Sequence, residues 1–341
     1  MTKVAIMRRL LTGLLACALL CPAIASSAVG AYNRCKTRPH INRFDSRLAT
    51  EYGNLIDLAY QMSGRAAPPH EFTPPYDGLP PEYNFIAWVR MNDFTPRGRI
   101  RPKFYGIIVQ RKSDPNSFIL ALRGTNSGIE WFDDFMSIFP VALPGFPGKI
   151  GEGFGRIFGS MEVIGADGQP TDKFGHGFVN EFRAAILGKL MRRATRMGAN
   201  EQAAVLDRVN VEVTGHSLGA ALATLYVAAN ARDRQLRISR IYTFASPLVG
   251  NTEFAAAFEN LRVDSWRIAN PFDVVTVLPA IGYSHVDRLE PVNSGNWVNR
   301  TPICLHSMTT YLHLVHPPIL LDKSCAWDPT VPGPNIGGHT S

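Results

Sequence analysis

The run Gly215-His216-Ser217-Leu218-Gly219 constrains this chain more than any other feature, because of what stands on either side of it. Before it lies Asn210-Val211-Glu212-Val213-Thr214, short, alternating and β-branched, which reads as a strand over Val209–Thr214. After it, Ala220-Ala221-Leu222-Ala223-Thr224 belongs to a small-residue helix over Leu218–Asn230. A G-x-S-x-G run alone recurs by chance, but strand, sharp turn and helix together are the setting in which a serine takes a strained backbone and projects Oγ above a sheet. Side chains at 215 and 219 would collide with neighbouring backbone, which accounts for both glycines. The helix start supplies unpaired N–H groups and a positive dipole end, so the Leu218 N–H is a candidate oxyanion donor.

A serine hydroxyl is a weak nucleophile without a base. Where a triad sits on such a turn, its members follow in the order Ser, acid, His. The strand Val263–Ile268 leads into Ala269-Asn270-Pro271-Phe272-Asp273, which puts Asp273 at the carboxyl edge of a parallel sheet, where ligands bind. Asp264 reads as a strand residue, and Asp287 reads as lying further out in a loop. The candidate bases after it are His285, His306, His313 and His316. The loop-to-helix junction Cys304-Leu305-His306-Ser307-Met308 favours His306. His313 lies about two helical turns beyond it, too far to share the same partners.

Elsewhere, the spacing of Leu48, Tyr52, Leu55, Ile56, Ala59 and Met62 predicts an amphipathic helix over 44–64. Strands are expected at Tyr83–Met91, Phe104–Gln110, Phe118–Leu122 and Ser239–Ala245, and helices at 181–197 and Thr309–Val315. Residues 124–180 read as loop-rich and Gly-rich. The alternation of strand and helix in the second half predicts an α/β fold, a mostly parallel central sheet with helices on both faces.

Several segments together resemble the class 3 lipases of the α/β-hydrolase superfamily, over roughly residues 104–315. Arg123-Gly124-Thr125 followed by Trp131-Phe132-Asp133-Asp134 is similar to that family's R-G-T…W…D segment. Thr214-Gly215-His216-Ser217-Leu218-Gly219-Ala220-Ala221-Leu222-Ala223 resembles T-G-H-S-L-G-G-A-L-A, and Tyr242–Asn251 resembles Y-T-F-G-S-P-R-V-G-N. Asn270-Pro271-Phe272-Asp273-Val274-Val275 with Leu278-Pro279 looks like N-x-x-D-x-V-x-x-L-P. His306–His313 looks like the plant-like H-x-x-x-x-Y-L-H. The resemblance implies an α/β-hydrolase fold, Asp273 and His306 as the partners of Ser217, and Thr125 as a second oxyanion donor. Ala220, Ala245 and Leu248 depart from the usual Gly, Gly and Arg, and Leu305 stands where many members carry Asp. Two stretches compete as the counterpart of the K-V-H-x-G-F segment: Lys149–Phe154, with Gly151 in place of His, and Gly175-His176-Gly177-Phe178.

The N-terminus reads as an export signal over residues 1–25: basic Lys3, Arg8 and Arg9, an apolar run Leu10–Leu20, then Ala23-Ile24-Ala25. A lipid anchor at Cys17 is the alternative. One domain over 26–327 and a mobile Pro/Gly-rich tail over 328–341 are expected to follow, with a secreted or periplasmic location. Loss of the three basic residues takes the net charge from +7 to +4, mildly basic and no footprint for nucleic acid. Cys35, Cys304 and Cys325 would then remain. Pairing of Cys304 with Cys325 would pin the segment bearing His306, and three free thiols is the other reading. No metal-ligand spacing is present and no cofactor is expected.

Phe135–Phe146 is strongly apolar but carries Pro140 and Pro144. It reads either as a lid suited to a lipid surface or as a buried loop. Three functions compete: a hydrolase of lipid esters with transient contact to a lipid surface, a soluble esterase with the same triad, and a non-catalytic binding protein on the same fold.

Overall fold

A computed structural model describes residues 43–67, 70–94, 100–125, 139–172, 175–194, 209–233, 236–295 and 297–326. The expected leader 1–25, Cys17, Cys35, the segment Trp131–Asp134, residues 135–138 and the tail 328–341 lie outside these.

Eight strands form one sheet: β1 (Tyr83–Phe94), β2 (Ile100–Arg111), β3 (Ser117–Leu122), β4 (Glu162–Gly165), β5 (Asn210–His216), β6 (Arg237–Phe244), β7 (Asp264–Ala269) and β8 (Arg288–Pro291). Their order is β4-β1-β2-β3-β5-β6-β7-β8. The first four pair antiparallel. From β3 through β8 every pairing is parallel. The central strands β3 and β5 are buried almost throughout, as strands covered on both faces must be, and their sequences are correspondingly apolar. This is the mostly parallel sheet read from the alternation of elements, in the α/β-hydrolase arrangement that the resemblance implies.

Helices cover both faces. On one lie α1 (Ser46–Gly64) and α7 (Met308–Val315). On the other lie α2 (Glu152–Phe158), α3 (Phe178–Ala194), α4 (Leu218–Asp233) and α5 (Thr252–Glu259), and α6 (Pro302–His306) sits just before α7. Asp45 caps α1, its carboxylate accepting from the Arg47 and Leu48 N–H groups. The buried face of α1 includes Tyr52, Leu55, Ile56, Ala59 and Met62, the stripe that its spacing predicts. On the opposite face the Tyr226 ring of α4 meets Phe178 and Phe182 of α3, centroids 5.5 and 4.9 Å apart. Each such fully buried aromatic stabilises the fold by about 2 kcal/mol.

The stretch 124–180, expected to be loop, contains α2 and β4. The helix is only seven residues long and carries two glycines, and the strand is four residues long, too short to show a period. β4 adds to the far edge beside β1, after which α3 returns the chain to the centre at β5. Helix α5, strand β8 and helix α6 also escaped the sequence reading, for the same reason of length.

Asp287 lies in a loop, as read, immediately before β8, and it is buried there, 8% exposed. Burial pushes its carboxyl up to about 7, while Ser265, Arg267 and Arg288 pull the other way. The folded state therefore keeps this proton to higher pH than the unfolded chain. Its contribution to stability declines between the ordinary carboxyl pKa and about 7, and the penalty is present in full above that. Asp287→Asn removes the charge and suits the positive φ of 69° at this position. Thermal unfolding will show a gain in Tm that is larger at pH 8 than at pH 5; an equal or reversed gain would refute the assignment.

Candidate active site

The parallel half of the sheet delivers its carboxyl ends to one edge, and the site is assembled there. Ser217 sits between β5 and α4 with φ 57°, in the left-handed region that a non-glycine residue adopts only under constraint. The constraint is visible on both sides. The Ser217 N–H donates to the Phe244 carbonyl of β6, and its own carbonyl accepts from the Ala220 N–H. A Cβ on Gly215 would lie 2.3 Å from the Gly219 carbonyl oxygen, and one on Gly219 would lie 2.4 Å from that of Arg123. Strand and helix can approach this closely only with glycine at both positions. Of the departures from the family pattern, Ala245 takes φ 51° where the pattern has Gly, while Ala220 is simply buried.

Asp273 lies in the turn after β7, 1% exposed, and caps a short 3-10 helix, Val274–Val277. Its Oδ1 accepts from the Val275 N–H at 3.0 Å and its Oδ2 from the Tyr311 hydroxyl at 2.9 Å. The same Oδ2 is 2.8 Å from His306 Nδ1, and His306 Nε2 is 2.7 Å from Ser217 Oγ. A carboxylate only accepts, so Nδ1 carries the hydrogen and the Nε2 lone pair faces the serine hydroxyl. The three side chains proposed from sequence thus form one hydrogen-bonded line.

His306 ends α6, whose start is capped by the Thr301 hydroxyl. A disulfide joins Cys304, two residues before His306, to Cys325, the first of the two readings left open above. Asn270 adds a further tie: its side-chain amide donates to the Leu305 carbonyl, and its backbone N–H donates to the Tyr311 hydroxyl. Other histidines singled out from the sequence are engaged elsewhere. His313 Nδ1 donates to the Ile319 carbonyl, His176 pairs with Asp172, and burial lowers the pKa of His285.

On the other side of Ser217 runs the carboxyl end of β3. The Arg123 guanidinium, buried over the Tyr105 ring, donates to the carbonyls of Gly124 and Phe104 and so fixes this turn. Gly124 lies directly against the serine: a Cβ there would be 2.8 Å from Ser217 Cβ. Thr125 is the next residue and half-buried. Leu218 opens α4, so its N–H has no acceptor within the helix. Both expected oxyanion donors therefore belong to segments adjoining Ser217. Of the apolar stretch 135–146, the described part from Val141 onward is packed down. Val141 bridges to Ile150, and Leu143 and Phe146 lean on the core, whereas Phe139 is 62% exposed. Of the two competing stretches, Lys149–Phe154 is the one beside this edge, through a bridge from Ile150 to Gly250.

Residues 119–283 match the family model described as Lipase (class 3). Over this stretch the chain is similar to the class 3 lipase family. It is 29% identical over 206 residues to Phospholipase A1-II 1 of Oryza sativa subsp. indica, covering 57% of this chain and 49% of that one. It is 26% identical to Phospholipase A1-IIalpha of Arabidopsis thaliana, covering 57% and 47%. The chain thus spans about half the length of these relatives. The triacylglyceride lipase of Rhizomucor miehei aligns with a TM-score of 0.50 at 20% identity, covering 74% of this chain and 82% of that one, a likeness of fold. The stretch matched to this class 3 lipase family includes Ser217 and Asp273 but neither His306 nor Tyr311, which come from beyond its end.

Proposed function

We propose that this chain is an exported serine hydrolase of lipid carboxylic esters. The observation that carries the reading is the unbroken line from Ser217 Oγ through His306 to Asp273. His306 takes the serine proton as Oγ attacks the ester carbonyl, and Asp273 holds the imidazole in the needed tautomer and stabilises its cation. The Leu218 and Thr125 N–H groups face the charge that develops on the carbonyl oxygen. Collapse expels the alcohol, which leaves with the proton held on His306. Water, deprotonated by the same ring, then hydrolyses the acyl-enzyme and frees the fatty acid.

Two further observations support a lipid rather than a small soluble ester. Phe272, Val277, Ile281, Trp297 and Ile303 are exposed apolar residues on the segments that carry Asp273 and His306, so the surroundings of the site suit a lipid surface. The relatives named phospholipase A1 point to phospholipids as the first substrates to try. Export is supported by the leader-like N-terminus and by the Cys304–Cys325 disulfide, a bond kept in oxidising compartments.

The test is fatty-acid release by the purified protein from phosphatidylcholine vesicles and from emulsified triacylglycerol, set beside hydrolysis of monomeric p-nitrophenyl butyrate. Faster turnover on aggregated lipid is expected. Equal turnover on dispersed and aggregated substrate would favour the soluble esterase, and no hydrolysis of any of the three would overturn the reading.

A further inference from the structure

His216, the residue before the serine, has no part in the proton transfers above, yet its ring is buried beneath the base, 4.9 Å from the His306 ring. Both of its nitrogens are engaged. Nε2 is 2.8 Å from the backbone carbonyl of His306, and Nδ1 is 2.8 Å from the hydroxyl of Tyr60 on α1. That hydroxyl also accepts from the Gly124 N–H at 2.8 Å.

A carbonyl accepts, so Nε2 donates to His306. Gly124 donates its N–H to the Tyr60 oxygen, which leaves the Tyr60 hydroxyl free to donate to a bare Nδ1 when the ring is neutral. Burial and the neighbouring His306 both hold the His216 pKa well below the usual imidazole value. Burial also raises that of Tyr60, so the phenol keeps its proton.

We propose that Tyr60 and His216 are positioning residues, a neutral relay tying the β3 turn beside the nucleophile to the backbone of the base. The inference rests on the ester-hydrolase reading. Gly124 fixes one wall of the site and His306 the other, and they lie far apart in the sequence. The relay spans that gap with directed bonds, and a catalytic base displaced by an ångström forfeits much of its rate. It also explains why α1, which lies outside the family-matched stretch, bears a hydroxyl at position 60.

Tyr60→Phe is the clean test, because the ring and its edge contact with His216, centroids 5.7 Å apart, are retained while one oxygen is lost. On p-nitrophenyl butyrate, kcat is expected to fall about ten- to a hundredfold with KM within about twofold. His216→Gln keeps a donor near the Nε2 position and loses the acceptor. It should match Tyr60→Phe, and the double variant should be no slower than either, because the two act as one unit. Tyr60→Phe at the wild-type rate would overturn the proposal, as would losses that multiply in the double variant. The 15N shifts of the His216 ring give a readout independent of turnover. A hydrogen on Nε2 alone is expected, with Nδ1 shifting in Tyr60→Phe. A hydrogen on Nδ1 would overturn the relay even if the wild type hydrolysed every ester offered. If the wild type hydrolysed none, the expected ring shifts would leave the relay standing while the function fell.

Discussion

Ser217→Ala abolishes ester hydrolysis, lowering kcat on the order of 10⁶-fold. Alanine leaves no oxygen for His306 to deprotonate, so no acyl-enzyme forms. The residual rate comes from substrate binding and from the N–H groups at the start of α4 and the end of β3. The variant should fold: only a side-chain oxygen bonded to His306 Nε2 is lost, and the backbone bond from residue 217 to Phe244 remains. The check is paired. Hydrolysis of p-nitrophenyl butyrate should vanish, and a fluorophosphonate probe that labels the wild type at Ser217 should leave the variant unlabelled, with Tm within a few degrees. Undiminished turnover would place the nucleophile elsewhere.

Asp273→Asn comes next, with an expected loss of about 10⁴-fold in kcat. Asp273 accepts three hydrogen bonds, from Val275 N–H, the Tyr311 hydroxyl and His306 Nδ1. An asparagine has one oxygen to offer. If that oxygen keeps the Val275 cap, its amide nitrogen faces both Tyr311 and His306. The imidazole must then turn its lone pair toward the amide and its hydrogen toward Ser217, and in that tautomer it cannot accept the serine proton. The Tyr311 hydroxyl already accepts from the Asn270 N–H, so it loses the acceptor for its own hydrogen. Kinetics on the short ester should show the loss in kcat rather than KM. An asparagine variant retaining more than a tenth of the wild-type rate would show that Asp273 does not govern the tautomer.

How much of this the sequence disclosed follows from how local each signal is. Ser217 was legible because strand, turn and helix lie within about twenty consecutive residues, and the two glycines are dictated by contacts inside that span. Asp273 followed from its place just after a strand. His306 needed both the chain order and the family resemblance, since three other candidate histidines, His285, His313 and His316, follow Asp273. Tyr311 and Tyr60 were invisible as site residues. One lies 38 residues from the acid it serves and the other 156 from its imidazole, and nothing in the neighbouring sequence ties either to its partner. The loop position of Asp287 was legible but its burial was not, because an aspartate in a loop is normally solvated. The elements that escaped are the short ones, α2, β4, α5, β8 and α6, stabilised by contact with the sheet more than by any pattern of their own.

The seating of α1 on α7 has a consequence for when the molecule becomes competent. Gly53 leaves so little room that a Cβ there would stand 2.6 Å from Leu312, so the first and last of the described helices interlock although they lie far apart in the sequence. During synthesis the hydroxyl at 217 waits for an imidazole about ninety positions later, and the clasp at Cys325 arrives later still. A growing polypeptide thus cannot complete this line of side chains until position 306 has been translated.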